Sequence, residues 1–180
     1  LHESGVAFSG PWLIAHQRGE PITSIGNRHP AMAPHGVYPC DGDDAWVAIV
    51  CTTDQQWRAL CTLTGVGDPD APLASRQLDH QRIDDKLCNW TRQHNKVAAA
   101  EKLQAAGVAA GPVYNTPDMM ADTHIADRGF FVPLERNTPV PGNPIKMSGI
   151  SPADWKPCPR LGADNAAVLK DWLGYEESAI

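Results

Sequence analysis

Residues 28–36, Arg28-His29-Pro30-Ala31-Met32-Ala33-Pro34-His35-Gly36, are the stretch of this chain best suited to chemistry. They put one cation, two imidazoles and two prolines on a connection that the prolines keep out of helix. Exposed non-helical connections on a rigid scaffold are where binding groups collect, so Arg28, His29, Pro30, Ala31, Met32, Ala33, Pro34, His35 and Gly36 are the candidates for ligand contact. Other constellations are weaker. Cys40 and His35 can be drawn as thiolate and base, but nothing nearby supplies a third, orienting group, so a strand cysteine beside a loop histidine is the simpler reading. Asp43-Asp44 lies in a turn and Asp84-Asp85 on a polar helix face, and both pairs read as solvated charge. There is no G-x-S-x-G elbow and no phosphate-binding glycine loop. Seven histidines lack metal-ligand spacing, and five cysteines without a C-x-x-C pair read as scattered reduced thiols, mostly buried. No residue is assigned as nucleophile or metal ligand.

The elements around the loop follow from spacing. Residues 5–19 read as an apolar helix stopped by Gly19 and interrupted by Pro11; apolar round most of its circumference, it should pack on something outside the segment. Residues 36–40 and 45–51 form a hairpin about the Asp41-Gly42-Asp43-Asp44 turn. Thr53 and Gln56 make a capping box for a helix carrying Trp57, Leu60, Cys61 and Leu63 and ending at Gly65. A polar helix is expected over 75–91 with a buried stripe of Leu78, Ile83, Leu87 and Trp90, then an Ala-rich helix over 96–106 closed by Gly107. Residues 111–114 are too short and proline-marked for a long strand. Thr116-Pro117-Asp118 starts a helical region that Gly129 ends, 130–134 reads as an edge strand, and 145–148 as its partner. Proline-rich, extended chain over 152–159 leads to a helix at 165–173 with Val168, Leu169, Trp172 and Leu173 on one side. The fold class is α+β: a small domain with a short antiparallel sheet and packed helices, flanked by an N-terminal connecting helix and a C-terminal helix.

A chain of 180 residues with 42% apolar composition can bury a core of its own. With 15 basic against 21 acidic side chains the net charge is −6, which argues against nucleic acid or anionic lipid as a partner. No apolar run approaches the roughly 20 residues of a membrane helix and no export signal is seen, so the expected location is cytoplasmic. The start at Leu1 hints at a trimmed terminus. The apolar first helix and the Trp172 stripe predict self-association or exposed apolar surface.

The 28–36 loop entering the hairpin and four further ordered blocks carry a family resemblance: Trp57-Arg58-Ala59-Leu60-Cys61; Gln104 to Val113; Asp127-Arg128-Gly129-Phe130-Phe131; and Pro159-Arg160-Leu161-Gly162. In these the chain resembles the small domain and C-terminal segment of the family III CoA transferases, the CaiB/BaiF or formyl-CoA transferase-like group. The resemblance implies a connecting helix and linker over 1–25, a small α+β domain over 26–150 and an extended segment and helix over 151–180 that returns to a large domain within interlocked homodimers. It also implies that 29–35 matches the mobile loop closing over the CoA thioester, glycine-rich in formyl-CoA transferase and proline-bearing here. The catalytic aspartate of the family lies upstream of these blocks and has no position here. Where many relatives have Leu-Gly-Glu-His-Thr, this chain has Leu161-Gly162-Ala163-Asp164-Asn165. The implied function is therefore the C-terminal part of a transferase moving CoA between an acyl-CoA and a small carboxylic acid, inactive without its N-terminal domain or a separate subunit. Coenzyme A would be substrate rather than resident cofactor. The alternative is a stand-alone binding or assembly module that kept the fold; racemase chemistry ranks below both.

Overall fold

The computed structural model describes residues 2–135, 138–151 and 155–176. It divides into two units, Leu1–Val113 and Tyr114–Ile180.

The first unit opens with two short helices, α1 (His2–Ala7) and α2 (Gly10–Gln17), in place of the single helix expected over 5–19. The chain turns at Phe8-Ser9, where the Ser9 hydroxyl donates to the Gly5 carbonyl at 3.1 Å. Pro11 sits in the first turn of α2, where its missing N–H leaves no bond unmade. No residue of α2 is buried, and Trp12, Leu13 and Ile14 stand half exposed or more.

Strands β1 (His35–Pro39) and β2 (Trp46–Val50) form the expected hairpin with Val37 opposite Ala48. A third strand, β3 (Ala109–Pro112), pairs antiparallel on the other side of β2, giving the order β1-β2-β3. Only a short, proline-marked stretch was expected there. An edge position explains the pairing, because the proline's missing donor costs a ladder nothing on the open side.

Four helices connect β2 to β3. In α3 (Asp54–Thr64) the Thr53 hydroxyl accepts from the Gln56 amide at 3.2 Å, and Gln56 reaches back to the Thr52 amide at 2.8 Å. Gly65, in the left-handed region at φ 66°, closes it. The helix expected over 75–91 is broken at Asp79 into α4 (Leu73–Leu78) and α5 (His80–Thr91). The break turns Leu78 outward to 89% exposure, contrary to the expected stripe, while Ile83 and Leu87 are buried and Trp90 is partly buried. Asn95 caps α6 (Lys96–Ala105) by accepting from the Ala98 amide at 2.9 Å.

These helices cover one face of the sheet, with α5 against β1 and α6 against β2 and β3. Alternation sends Val47, Ile49 and Cys51 inward to meet Trp57, Leu60, Ile83, Leu87, Ala99, Ala100 and Leu103. The result is the α+β architecture expected, with one hydrophobic core.

In the second unit, α7 (Thr116–Ala121) has a capping box of Asn115 and Asp118, and Asp122 starts α8 (Thr123–Asp127) by accepting from the Ile125 amide at 2.7 Å. Strand β4 (Phe131–Glu135) pairs with β5 (Thr138–Pro141), not with 145–148 as expected. Past β5 the ladder ends on a bond from the Gly142 amide to the Phe130 carbonyl at 2.7 Å, and Asn143 then turns the chain by accepting from the Ile145 amide. Of the extended stretch 152–159, residues 152–154 lie outside the described residues. The last helical segment, expected over 165–173, is a π-helix at Ala167–Trp172 with Trp172 at 81% exposure.

Candidate functional site

The 28–36 loop is held by its own imidazoles. The Ala31 amide donates to His29 Nδ1 at 3.0 Å, so the neutral ring carries its proton on Nε2. His35 Nδ1 meets the Asn27 carbonyl, which only accepts, so this ring is protonated on Nδ1. The two rings lie 5.4 Å apart, tilted by 34°.

Helices α4 and α5 form the platform beneath the loop. Gln77 Nε2 donates to the Pro30 carbonyl at 2.5 Å and Arg28 Nη2 to Gln81 Oε1 at 3.1 Å. Arg76, at 3% exposure, donates through Nη1 to the Ala33 carbonyl at 3.2 Å, pairs with Asp54, and places its guanidinium 5.4 Å from the Trp57 ring centroid. The Cys51 amide takes the Pro34 carbonyl at 3.0 Å. Ala33 and Pro34 are buried, whereas Arg28, Pro30 and Ala31 are exposed and His29, Met32, His35 and Gly36 lie between.

Under the loop, Asp84 joins two elements. Tyr38 of β1 donates to its Oδ1 at 2.8 Å, and His80 Nδ1 lies 2.9 Å from its Oδ2. A carboxylate accepts, so the His80 proton is on Nδ1; Nε2 is buried without a partner. Arg28 approaches the same carboxylate at 4.0 Å. Burial, then the charge and hydrogen bond of Asp84, push the Tyr38 hydroxyl well above the usual phenol range, which makes it a donor and not a phenolate. Asp84 is thus not the solvated charge that the sequence suggested; its side chain is 24% exposed. Its signal was the His80, Asp84 spacing of four on one helix face. Arg76 and Gln77, equally missed, lie on a segment whose polarity read as a plain surface helix.

Two clefts border this network. One, of about 380 Å³, is lined by Ser24, Ile25, Arg28, His29, Pro30, Gln77 and His80. The other, of about 280 Å³, runs past His35, Gly36 and Tyr38 to Asp84 and Cys88. Cys40 does not pair with His35: it is buried, its thiol is pushed up by burial, and its Sγ lies 3.9 Å from the Tyr38 carbonyl. Among the described residues no group of three or more His, Cys, Asp or Glu is placed to hold a metal, and no helix is long and apolar enough to cross a membrane.

Residues 1–165 match the model of CoA-transferase family III. The chain belongs to this family. Among family relatives, it is 32% identical over 162 residues to a probable CoA-transferase of Mycobacterium tuberculosis, covering 84% of this chain and 20% of that one. It is 29% identical over 170 residues to the succinate–glutarate CoA-transferase of Agrobacterium fabrum, covering 89% and 42%. A crystal structure of a CaiB/BaiF family protein from Brucella suis superposes with a TM-score of 0.64 at 25% identity, over 88% of this chain and 43% of that one. The chain thus spans less than half the length of each of these family members.

Proposed function

We propose that this chain is the C-terminal part of a transferase that moves CoA between an acyl-CoA and a carboxylic acid, and that the 28–36 loop is its contribution to the substrate site. The observation that carries this reading is the loop itself: a polar, partly exposed segment whose base is tied by Arg76, Gln77 and Gln81, beside two open clefts, in a chain of this family. The succinate–glutarate enzyme among the relatives makes a dicarboxylic acid the favoured acceptor class.

In covalent CoA transfer a carboxylate attacks the thioester, CoA is held while the acids exchange, and the new thioester leaves. No residue here is assigned as that carboxylate. The loop residues Arg28, His29, Pro30, Ala31, Met32, Ala33, Pro34, His35 and Gly36 would cover the thioester and keep water from a mixed anhydride that it would hydrolyse. The nucleophile would come from an upstream domain or a separate subunit. The experiment is a transfer assay from succinyl-CoA to glutarate with the native-length polypeptide, followed by mass spectrometry of the thioesters. Glutaryl-CoA formation supports the reading, and its absence with every acid tried, together with no binding of any acyl-CoA, refutes it. Transfer by the 180-residue chain alone would place the nucleophile within it instead.

A further inference from the structure

The larger cleft beside the loop carries a charge pattern opposite to that of the whole chain. Net charge is −6, yet the seven lining residues include a guanidinium, two imidazoles and an amide and no carboxylate. Asp84 is kept out of it, engaged behind His80 through Nδ1. Arg28 spends its hydrogen bond on the neutral amide of Gln81 and meets its nearest carboxylate only at 4.0 Å, so its charge is weakly paired. His29 accepts from Ala31 at Nδ1 and so has an Nε2–H to donate. His80, 5% exposed, lines the same cleft with an unpartnered Nε2.

From these residues we infer that the cleft is an oxyanion subsite, in which Arg28 and His29 hold a carboxylate or phosphate group of the substrates and His80 closes it from beneath. Arginine suits this task because its planar fork matches both oxyanions. His80 acts as a positioning residue beneath the cleft: its Nδ1–H, held by Asp84, fixes the ring under Arg28 and His29. The inference rests on the proposed function for the identity of the oxyanion, which is either the distal carboxylate of a dicarboxylic acid or a phosphate of CoA.

The test is binding, and it needs no turnover. Succinate against succinamide, and adenosine 3′,5′-bisphosphate against adenosine, are titrated into the chain by calorimetry. The oxyanion of one pair binds at least about tenfold tighter than its neutral analogue, and Arg28→Gln weakens that binding about tenfold. Preference within the succinate pair assigns the carboxylate, and preference within the adenosine pair the phosphate. Equal binding within both pairs overturns the subsite, as does binding that Arg28→Gln leaves unchanged. Arg28 is half exposed, so the Arg28→Gln chain keeps its core and its binding can be compared directly. A polypeptide that transfers CoA while showing neither preference would sink this inference and leave the proposed function standing.

Discussion

Asp84 and the buried thiols show how position in the core decides residue chemistry here. Cys51 is pushed up to about 12 by burial, with Arg76 opposing, and burial raises Cys40, Cys61 and Cys88 as well. Thiolate is the reactive form, so exposed Cys158 should react first with iodoacetamide and Cys40, Cys51 and Cys61 only on unfolding. Peptide mapping after graded alkylation checks the order; early labelling of Cys51 would contradict it. The same shifts set a direction with pH. A group raised in the folded state contributes stability that is complete below its unfolded value and is lost as pH rises. Stability against thermal unfolding should therefore fall from about pH 8.5, where unfolded thiols ionise, and further above about pH 10, where unfolded tyrosine does and folded Tyr38 does not. Tyr38→Phe should flatten the upper part of that profile.

At the scale of elements, the hairpin, α3 with its cap and glycine stop, and α6 were legible because each is specified locally, by an Asp-Gly turn, a Thr53 hydroxyl or an Asn95 cap. The α4–α5 segment was only half legible. Its apolar residues fit a single helix, but the break at Asp79 rotates Leu78 out of the core, and no local signal at Asp79 announces it. Leu78→Ala should change stability by less than about 0.5 kcal/mol, and Leu87→Ala, wholly buried, should cost about 3 kcal/mol in urea unfolding. All nine loop candidates could be read in the sequence, but their platform could not, because Arg76, Gln77 and Gln81 meet the loop only through tertiary packing. Arg76→Met should cost about 2 kcal/mol, since it strands the buried Ala33 carbonyl, while Asp54, largely exposed, returns to water. Gly36→Ala should also disturb the platform, because a Cβ there would lie 2.9 Å from the Tyr38 hydroxyl that binds Asp84.

For the whole molecule, the exposed apolar side chains set how the isolated chain behaves in solution. Phe8 at 84% exposure, Trp12 at 61% and Trp172 at 81% give the isolated chain apolar surface that a dye should find. Phe8→Ser with Trp12→Ser should reduce that dye binding while leaving core unfolding unchanged, because neither residue belongs to the core. Whether the 28–36 loop meets the acyl-CoA is read most directly by hydrogen exchange of the native-length polypeptide with and without succinyl-CoA. The expected result is new protection of the backbone amides at 28, 29, 31–33, 35 and 36 when succinyl-CoA is added. Unchanged exchange there, with protection confined to other segments, would contradict the role assigned to the loop.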